Sequence, residues 1–144
     1  MSNSATVVDQ SFFLCIDDAQ DAHEAIVTWA KEHELIYGPN RQPQGNTIDG
    51  AEEVTALRDS KNIIEALEIL GWSPIPDDQF NITALDQNRH DVVGADHLAA
   101  INSLAPYIEP DSYICFIGEK NHVFRWKFTP EGVLVQEGKL VFKD

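Results

Sequence analysis

Between residues 90 and 97 the sequence sets four side chains able to hold a metal ion: His90, Asp91, Asp96 and His97. Imidazole nitrogens with carboxylate oxygens suit a divalent transition metal. A metal-dependent enzyme centred on His90–His97 is therefore one reading, and a pocket joining these residues to Glu109 or Asp111 would favour it. Their spacing follows no established coordination pattern, and a solvated polar loop is the simpler account. His23-Glu24 opens a helix but lacks a second histidine four positions on, where Val27 stands. His122 begins an aromatic strand, where histidine is usually structural.

Other catalytic patterns are missing from the sequence. It contains no Gly-rich phosphate loop followed by lysine, no G-x-S-x-G elbow, and no serine close in sequence to a histidine. The carboxylate neighbours Asp17/Asp18, Glu52/Glu53 and Asp77/Asp78 diverge, whereas acid–base catalysis needs convergent groups. Asp17–Asp21 lacks the glycine and terminal Glu of a calcium loop. Cys15 and Cys115 are too far apart for a zinc knuckle and sit in apolar strand-like runs, which predicts reduced thiols. These patterns point away from an enzyme, and no cofactor is implied.

Charge is the outstanding total. The 144 residues carry 24 acids and 10 bases, a net charge of −14. Residues 1–111 hold 20 of those acids and 5 bases, and the remaining segment is close to neutral. Such a field repels phosphates and anionic lipid and attracts basic proteins. Asp21 and Glu24 on a first helix, Glu52 and Glu53 before a second, and Glu65 and Glu68 on it are the candidate binding residues. The expected function is an acidic protein-binding module, an inhibitor of the anti-defence or immunity type whose partner is a basic, nucleic-acid-binding protein. The rival is a structural or adaptor domain whose charge serves solubility only. Direct nucleic-acid binding is not expected. No apolar run approaches the ~20 residues needed to span a bilayer, and the start lacks a basic and apolar leader, so a cytoplasmic location is expected.

The elements that must position these residues follow from hydrophobic period. Ser112–Phe142 reads as a four-stranded antiparallel meander with turns at Gly118–Asn121, Thr129–Gly132 and Glu137-Gly138. In it His122, Phe124, Trp126 and Phe128 share one face, opposite Val123, Arg125 and Lys127. Burial of that aromatic face under helices explains it better than a base-stacking platform. Thr6–Ile16 reads as a strand, and its run Phe12–Ile16, apolar on both faces, suggests a central strand or one covered by helices. A helix follows from Asp17-Asp18 to Gly38-Pro39, its stripe Ala22, Ala25, Ile26, Trp29 and Ala30, capped either by Asp17 or Asp18 or by Asp21 in a capping box with Glu24. Asn40–Gly50 reads as loop. Ala51–Arg58 fits helix or strand, and strand is preferred because Asp59 and Ser60 would then cap the helix Lys61–Leu70, closed by Gly71. Pro74 and Pro76 exclude regular structure over Trp72–Asp78. Gln79–Leu85 alternates as a strand, with Phe80, Ile82 and Ala84 on one face. A polar loop, Asp86–Asp91, precedes a third helix from Gly94-Ala95-Asp96 to Pro106, with Leu98, Ile101 and Leu104 inward. The whole predicts a single α+β domain over residues 1–144, with an antiparallel or mixed sheet that ends in the meander and about three helices packed on it.

Overall fold

The computed structural model describes residues 4–34, 47–90 and 93–139. In chain order the elements are β1 (Ala5–Ser11), α1 (Ala19–Glu34), α2 (Thr47–Arg58), α3 (Ile63–Ile69), β2 (Trp72–Pro76), β3 (Ile82–Gln87), α4 (Ala95–Asn102), β4 (Tyr113–Gly118), β5 (Val123–Thr129) and β6 (Gly132–Glu137). Short 3₁₀ turns occupy Ile16–Asp18, Ala105–Tyr107 and Glu119–Asn121. One antiparallel sheet has the order β1-β4-β5-β6, and β2 pairs with β3 in a second, two-stranded sheet. The fold is α+β with four α-helices among the described residues.

The aromatic strand behaves as its alternation requires. Trp126 and Phe128 on β5 are buried and Phe124 packs against them, while Arg125 and Lys127 lie on the open face. Ile114 and Phe116 of β4 join the buried side. Across that face stands Trp72, the first residue of β2, fully buried with its ring edge-on to Phe116 and Trp126 at 6.2 Å from each. Phe116 and Trp126 are 4.8 Å apart, and Phe12 meets Phe128 edge-on at 5.6 Å. Ile101 and Leu104 from α4 and its end, with Ala105 and Ile108, complete this layer. Helix α1 packs on α2, α3 and α4, with Ala22, Ile26 and Ala30 fully buried.

Three strands of the sheet come from the predicted meander, and the fourth is β1, which pairs along the far side of β4. Gly138 still donates its N–H to the Val123 carbonyl at 2.9 Å, so the expected turn at Glu137-Gly138 has not begun there. Lys139 is outside any strand, and residues 140–142 of the predicted fourth strand lie outside the described residues, as do the helix stop at Gly38-Pro39 and most of the Asn40–Gly50 loop.

Strand β1 is an edge strand, so of the two positions that Phe12–Ile16 left open the central one does not hold. The chain leaves the sheet after Ser11, and Phe12 and Leu14 drop into the core instead. Its outer edge is closed by side chains. Gln10 Oε1 accepts from the Leu85 N–H at 2.9 Å while its Nε2 donates to the Leu85 carbonyl at 3.0 Å. Gln87 does the same to β1, accepting from the Val7 N–H at 2.7 Å and donating to the Ala5 carbonyl at 2.9 Å. A carboxamide carries one acceptor and donors on neighbouring atoms, so each glutamine imitates a strand residue. The two sheets are thus sewn together, and an exposed edge that would invite foreign strands is satisfied internally.

Several sequence expectations are corrected. Thr47–Arg58 is helix, because Val54 and Leu57, three apart, are the buried pair and Ala, Glu, Leu and Arg favour helix over strand. Asn62, not Asp59 or Ser60, caps α3, its side chain accepting from the Glu65 N–H at 2.8 Å; Gly71 follows at φ 97° as the C′ residue. Asp21 is inside α1, so it forms no capping box with Glu24. Trp72–Pro76 is a strand despite two prolines: β2 pairs on one side only, and Pro76 falls at the end of the strand, where the register shifts. Pro106 falls in the 3₁₀ turn after α4, which ends at Asn102. There Asn102 Oδ1 accepts from the Val133 N–H at 2.8 Å, and Gly132, at φ 146°, leaves the room a Cβ would take, 2.7 Å from that oxygen.

Trp126→Ala should lose about 3–5 kcal/mol in denaturant titration, from transfer energy plus the cavity left among Trp72, Phe116 and Phe128. A loss below about 1 kcal/mol would mean that the aromatic face is not the core.

Candidate functional site

Helix α1 presents one flank to α4 and to the turn Ala105–Tyr107, and a groove of about 410 Å³ runs between them. Asp21, Glu24 and Glu32 line it, spaced at three and eight residues so that all lie on this flank, with Trp29 and Tyr107 as aromatic walls. No basic side chain is among its described lining residues. Trp29 also lines an adjoining apolar hollow of about 410 Å³ with Leu98, Ala99, Asn102, Ser103 and Val133. The sequence placed Trp29 in the core stripe; it is instead half-buried, stacked on the His33 ring at 3.9 Å and shared by both hollows. Its stripe position is right, but it stands at the rim of the stripe, where packing ends.

The six acids singled out from the sequence separate into groups. Asp21 and Glu24 are exposed and belong to the groove, and Glu32 joins them. Glu52 is exposed on α2, and Glu68 is exposed on α3 with Glu65 half-buried beside it. Glu53 is no part of an open surface. Its Oε1 accepts from Arg89 Nη2 at 2.8 Å, and its Oε2 lies 3.3 Å from His97 Nε2. Burial pushes the Glu53 carboxyl up, but the His97 ring and the Arg89 guanidinium together outweigh it and hold the group below its ordinary 4.5. Arg89 Nη2 also lies 3.0 Å from His97 Nε2. An arginine only donates, so a neutral His97 ring accepts at that nitrogen. This network ties α2 to the segment between β3 and α4.

The same contacts give the two histidines of the 90–97 segment different partners. His97 turns to Glu53 and Arg89, whereas His90 Nδ1 lies 3.4 Å from Thr6 Oγ1 on β1. Asp96 is exposed in the first turn of α4, and Asp91 lies outside the described residues. Asp111 pairs with Lys127 at 3.6 Å. No three metal-binding side chains converge among the described residues.

One serine–histidine contact is invisible in sequence because 37 positions separate its members. His23 Nε2 and Ser60 Oγ are 2.9 Å apart. Ser60 is buried and gives its proton to the Leu57 carbonyl at 2.6 Å, so the histidine donates to it. A nucleophilic serine requires the reverse direction, proton towards imidazole. The contact instead fastens α1 to the end of α2.

The second feature missed by the sequence is the tip of the β2–β3 hairpin. Phe80, expected on a strand face, lies in the turn with φ 67° and 72% of its surface exposed. Asp77 builds the turn: Oδ1 accepts from the N–H groups of Gln79 and Asn81 at 2.9 and 3.0 Å, and Oδ2 from Asn81 Nδ2 at 3.1 Å. The Asn81 side-chain bond, followed by the backbone bonds, holds the Asp77 carboxyl below its usual range. The open sheet face carries Tyr113, whose hydroxyl donates to Asp9 at 3.2 Å, with the Arg125 guanidinium 5.7 Å from its ring. Cys15 and Cys115 are free and half-buried, and burial with Asp9 pushes the Cys115 thiol up. No helix among the described residues is long and apolar enough to cross a membrane.

Glu53→Gln should cost about 1–2 kcal/mol at neutral pH, the loss of charge-assisted hydrogen bonds discounted for partial exposure. The folded carboxyl titrates below its ordinary 4.5, so its contribution is complete above that value and disappears as pH falls through the folded one. Denaturant titrations of wild type and variant should therefore converge as pH falls below the ordinary carboxylate range. A gap of unchanged size would locate the stabilisation elsewhere.

The chain matches no family model, no curated protein and no solved structure, which leaves geometry and charge to carry the functional reading.

Proposed function

We propose that this protein is an acidic protein-binding module, an inhibitor of a basic, nucleic-acid-binding protein, and not an enzyme. The observation that carries the reading is the α1–α4 groove, where Asp21, Glu24 and Glu32 stand with Trp29 and Tyr107. Carboxylates set beside aromatic faces suit lysine and arginine side chains, which gain Coulomb attraction and cation–π contact together. A net charge of −14 extends that attraction beyond the groove and disfavours nucleic acid or anionic lipid as the ligand. Against an enzyme stand the direction of the Ser60 proton and the separate partners of His90 and His97. A reducing, cytoplasmic setting belongs to the same proposal, with Cys15 and Cys115 free.

The test takes the partner recovered by affinity capture and measures its association rate against salt. The rate should fall about tenfold or more from 0.1 M to 1 M salt, as the Debye length shortens from about 10 Å to about 3 Å. Asp21→Lys with Glu24→Lys should slow association at low salt while changing stability by no more than about 0.5 kcal/mol. Glu65→Lys with Glu68→Lys, on α3, should slow it less. A rate indifferent to salt and to both pairs would leave the acidity as a solubility device.

A further inference from the structure

The hairpin tip holds a side chain that folding does not explain. A bulky residue at φ 67° is strained, and glycine or asparagine would make this turn more comfortably. Phe80 recovers nothing for the strain by packing, since 72% of it is exposed. The conformation persists because Asp77 over-determines it: besides its carboxylate bonds, its N–H donates to the Asn81 carbonyl at 2.9 Å and its carbonyl accepts from the Phe80 N–H at 3.1 Å. Asn81 is buried, and its Oδ1 accepts from the Ile16 N–H at 2.8 Å.

That last bond fixes what stands beside Phe80. Leu14 and Ile82 form an antiparallel bridge, so the chain leading out of it brings Ile16 towards position 80. Ile16 is 47% exposed, and Ile75, before the turn, is 44% exposed. Ile16 is therefore placed beside the tip, and Ile75 stands on the strand that leads into it. Asp17 and Asp18 follow Ile16, Asp77 and Asp78 follow Ile75-Pro76, and all four are exposed. An aromatic centre with a polar rim is the arrangement of a binding hot spot. The rim selects the occupant by charge. A second copy would bring carboxylates against carboxylates, and phosphate or anionic lipid would be repelled as well.

We infer that the β2–β3 tip inserts Phe80, flanked by Ile16 and Ile75, into an apolar pocket rimmed by lysine and arginine on a partner protein. The inference rests on the reading of the chain as a module for a basic protein, and it adds a contact separate from the groove. Side chains buried in a partner's pocket act chiefly on the dissociation rate, and rim or groove charges chiefly on association.

The full chain with the photo-crosslinker benzoylphenylalanine in place of Phe80 is irradiated in lysate of the source organism. A chain carrying the crosslinker in place of Val8, exposed on β1, is the control. The expected result is a protein adduct specific to position 80, mapped to an apolar residue flanked by lysine or arginine. With that partner purified, Phe80→Gly, which suits the left-handed turn, should raise the dissociation rate about 30-fold or more, with association changed less than about twofold. Asp21→Lys with Glu24→Lys should do the reverse. The inference is overturned by an adduct with a second copy, nucleic acid or lipid, by no adduct above the control, or by a dissociation rate that Phe80→Gly leaves within about twofold. A salt-dependent association slowed by the groove pair, with dissociation indifferent to Phe80→Gly, would remove the anchor alone. Indifference to both would remove the binding reading with it.

Discussion

The contact of Trp72 with Phe116 and Trp126 joins the two sheets, and the remaining architecture depends on it. Trp72 on β2 stands more than forty positions in sequence from Phe116 on β4 and from Trp126 on β5. Edge-to-face aromatic pairs contribute about 0.5–1.5 kcal/mol beyond the area they bury. Their geometry also seats the β2–β3 hairpin against the inner face of the main sheet. Once it is seated, β3 lies beside β1 at a distance that a glutamine side chain spans, and the reciprocal bonds of Gln10 and Gln87 become possible. Gly71 delivers α3 directly into β2, so the position of the tryptophan also sets where α3, and through it α1 and α2, must stand.

The acidic excess is tolerated unevenly. Glu53, partly buried among the packed layers, is matched by Arg89, and the exposed Asp111 pairs with Lys127. On the flank of α1, Asp21, Glu24 and Glu32 take no ion pair among the described residues. Like charges three and four apart on a helix cost a few tenths of a kcal/mol, which a buried stripe of Ala22, Ile26 and Ala30 easily offsets. The open sheet face is of the other kind, with Arg125 held by Gln136 and Tyr113. Charge is thus compensated where Glu53 enters the packed layers, and the flank of α1 carries its acids without ion pairs among the described residues.

The sequence made the aromatic strand legible because its period of two is set by bulky aromatics over three successive inward positions, and Phe124, Trp126 and Phe128 needed no partner to declare their face. It made α1 legible for the same reason with a period of 3.6. What it hid depends on long-range pairing. Phe12–Ile16 reads as a strand by composition, but the chain leaves the sheet because β1 has only β4 to pair with. Pro74 and Pro76 argue against a strand until a one-sided partner is known. Phe80 alternates correctly with Ile82, and only the Asp77 carboxylate, an acceptor for two backbone N–H groups, reveals a turn there. In the candidate site, Asp21 and Glu24 were visible as acids but Trp29 and Tyr107 were not visible as their neighbours, since 78 positions separate those aromatics and only the packing of α1 on the Ala105–Tyr107 turn unites them.

On the proposed reading, the fold separates two tasks that a single flexible surface would mix. Long-range attraction needs only charge in roughly the right place, and solvent-exposed acids on α1 supply it without fixing their rotamers. Short-range capture needs a side chain already in its bound position, because each rotamer-rich group immobilised on binding costs about 0.5–1.5 kcal/mol. Phe80 has only two side-chain torsions, and its backbone is held by Asp77 and Asn81 before any partner arrives. The left-handed strain is then a cost met during folding, where the Trp72 cluster and the glutamine bonds already hold the hairpin. A glycine at position 80 would relax the turn and remove the one group there that strain keeps presented to solvent.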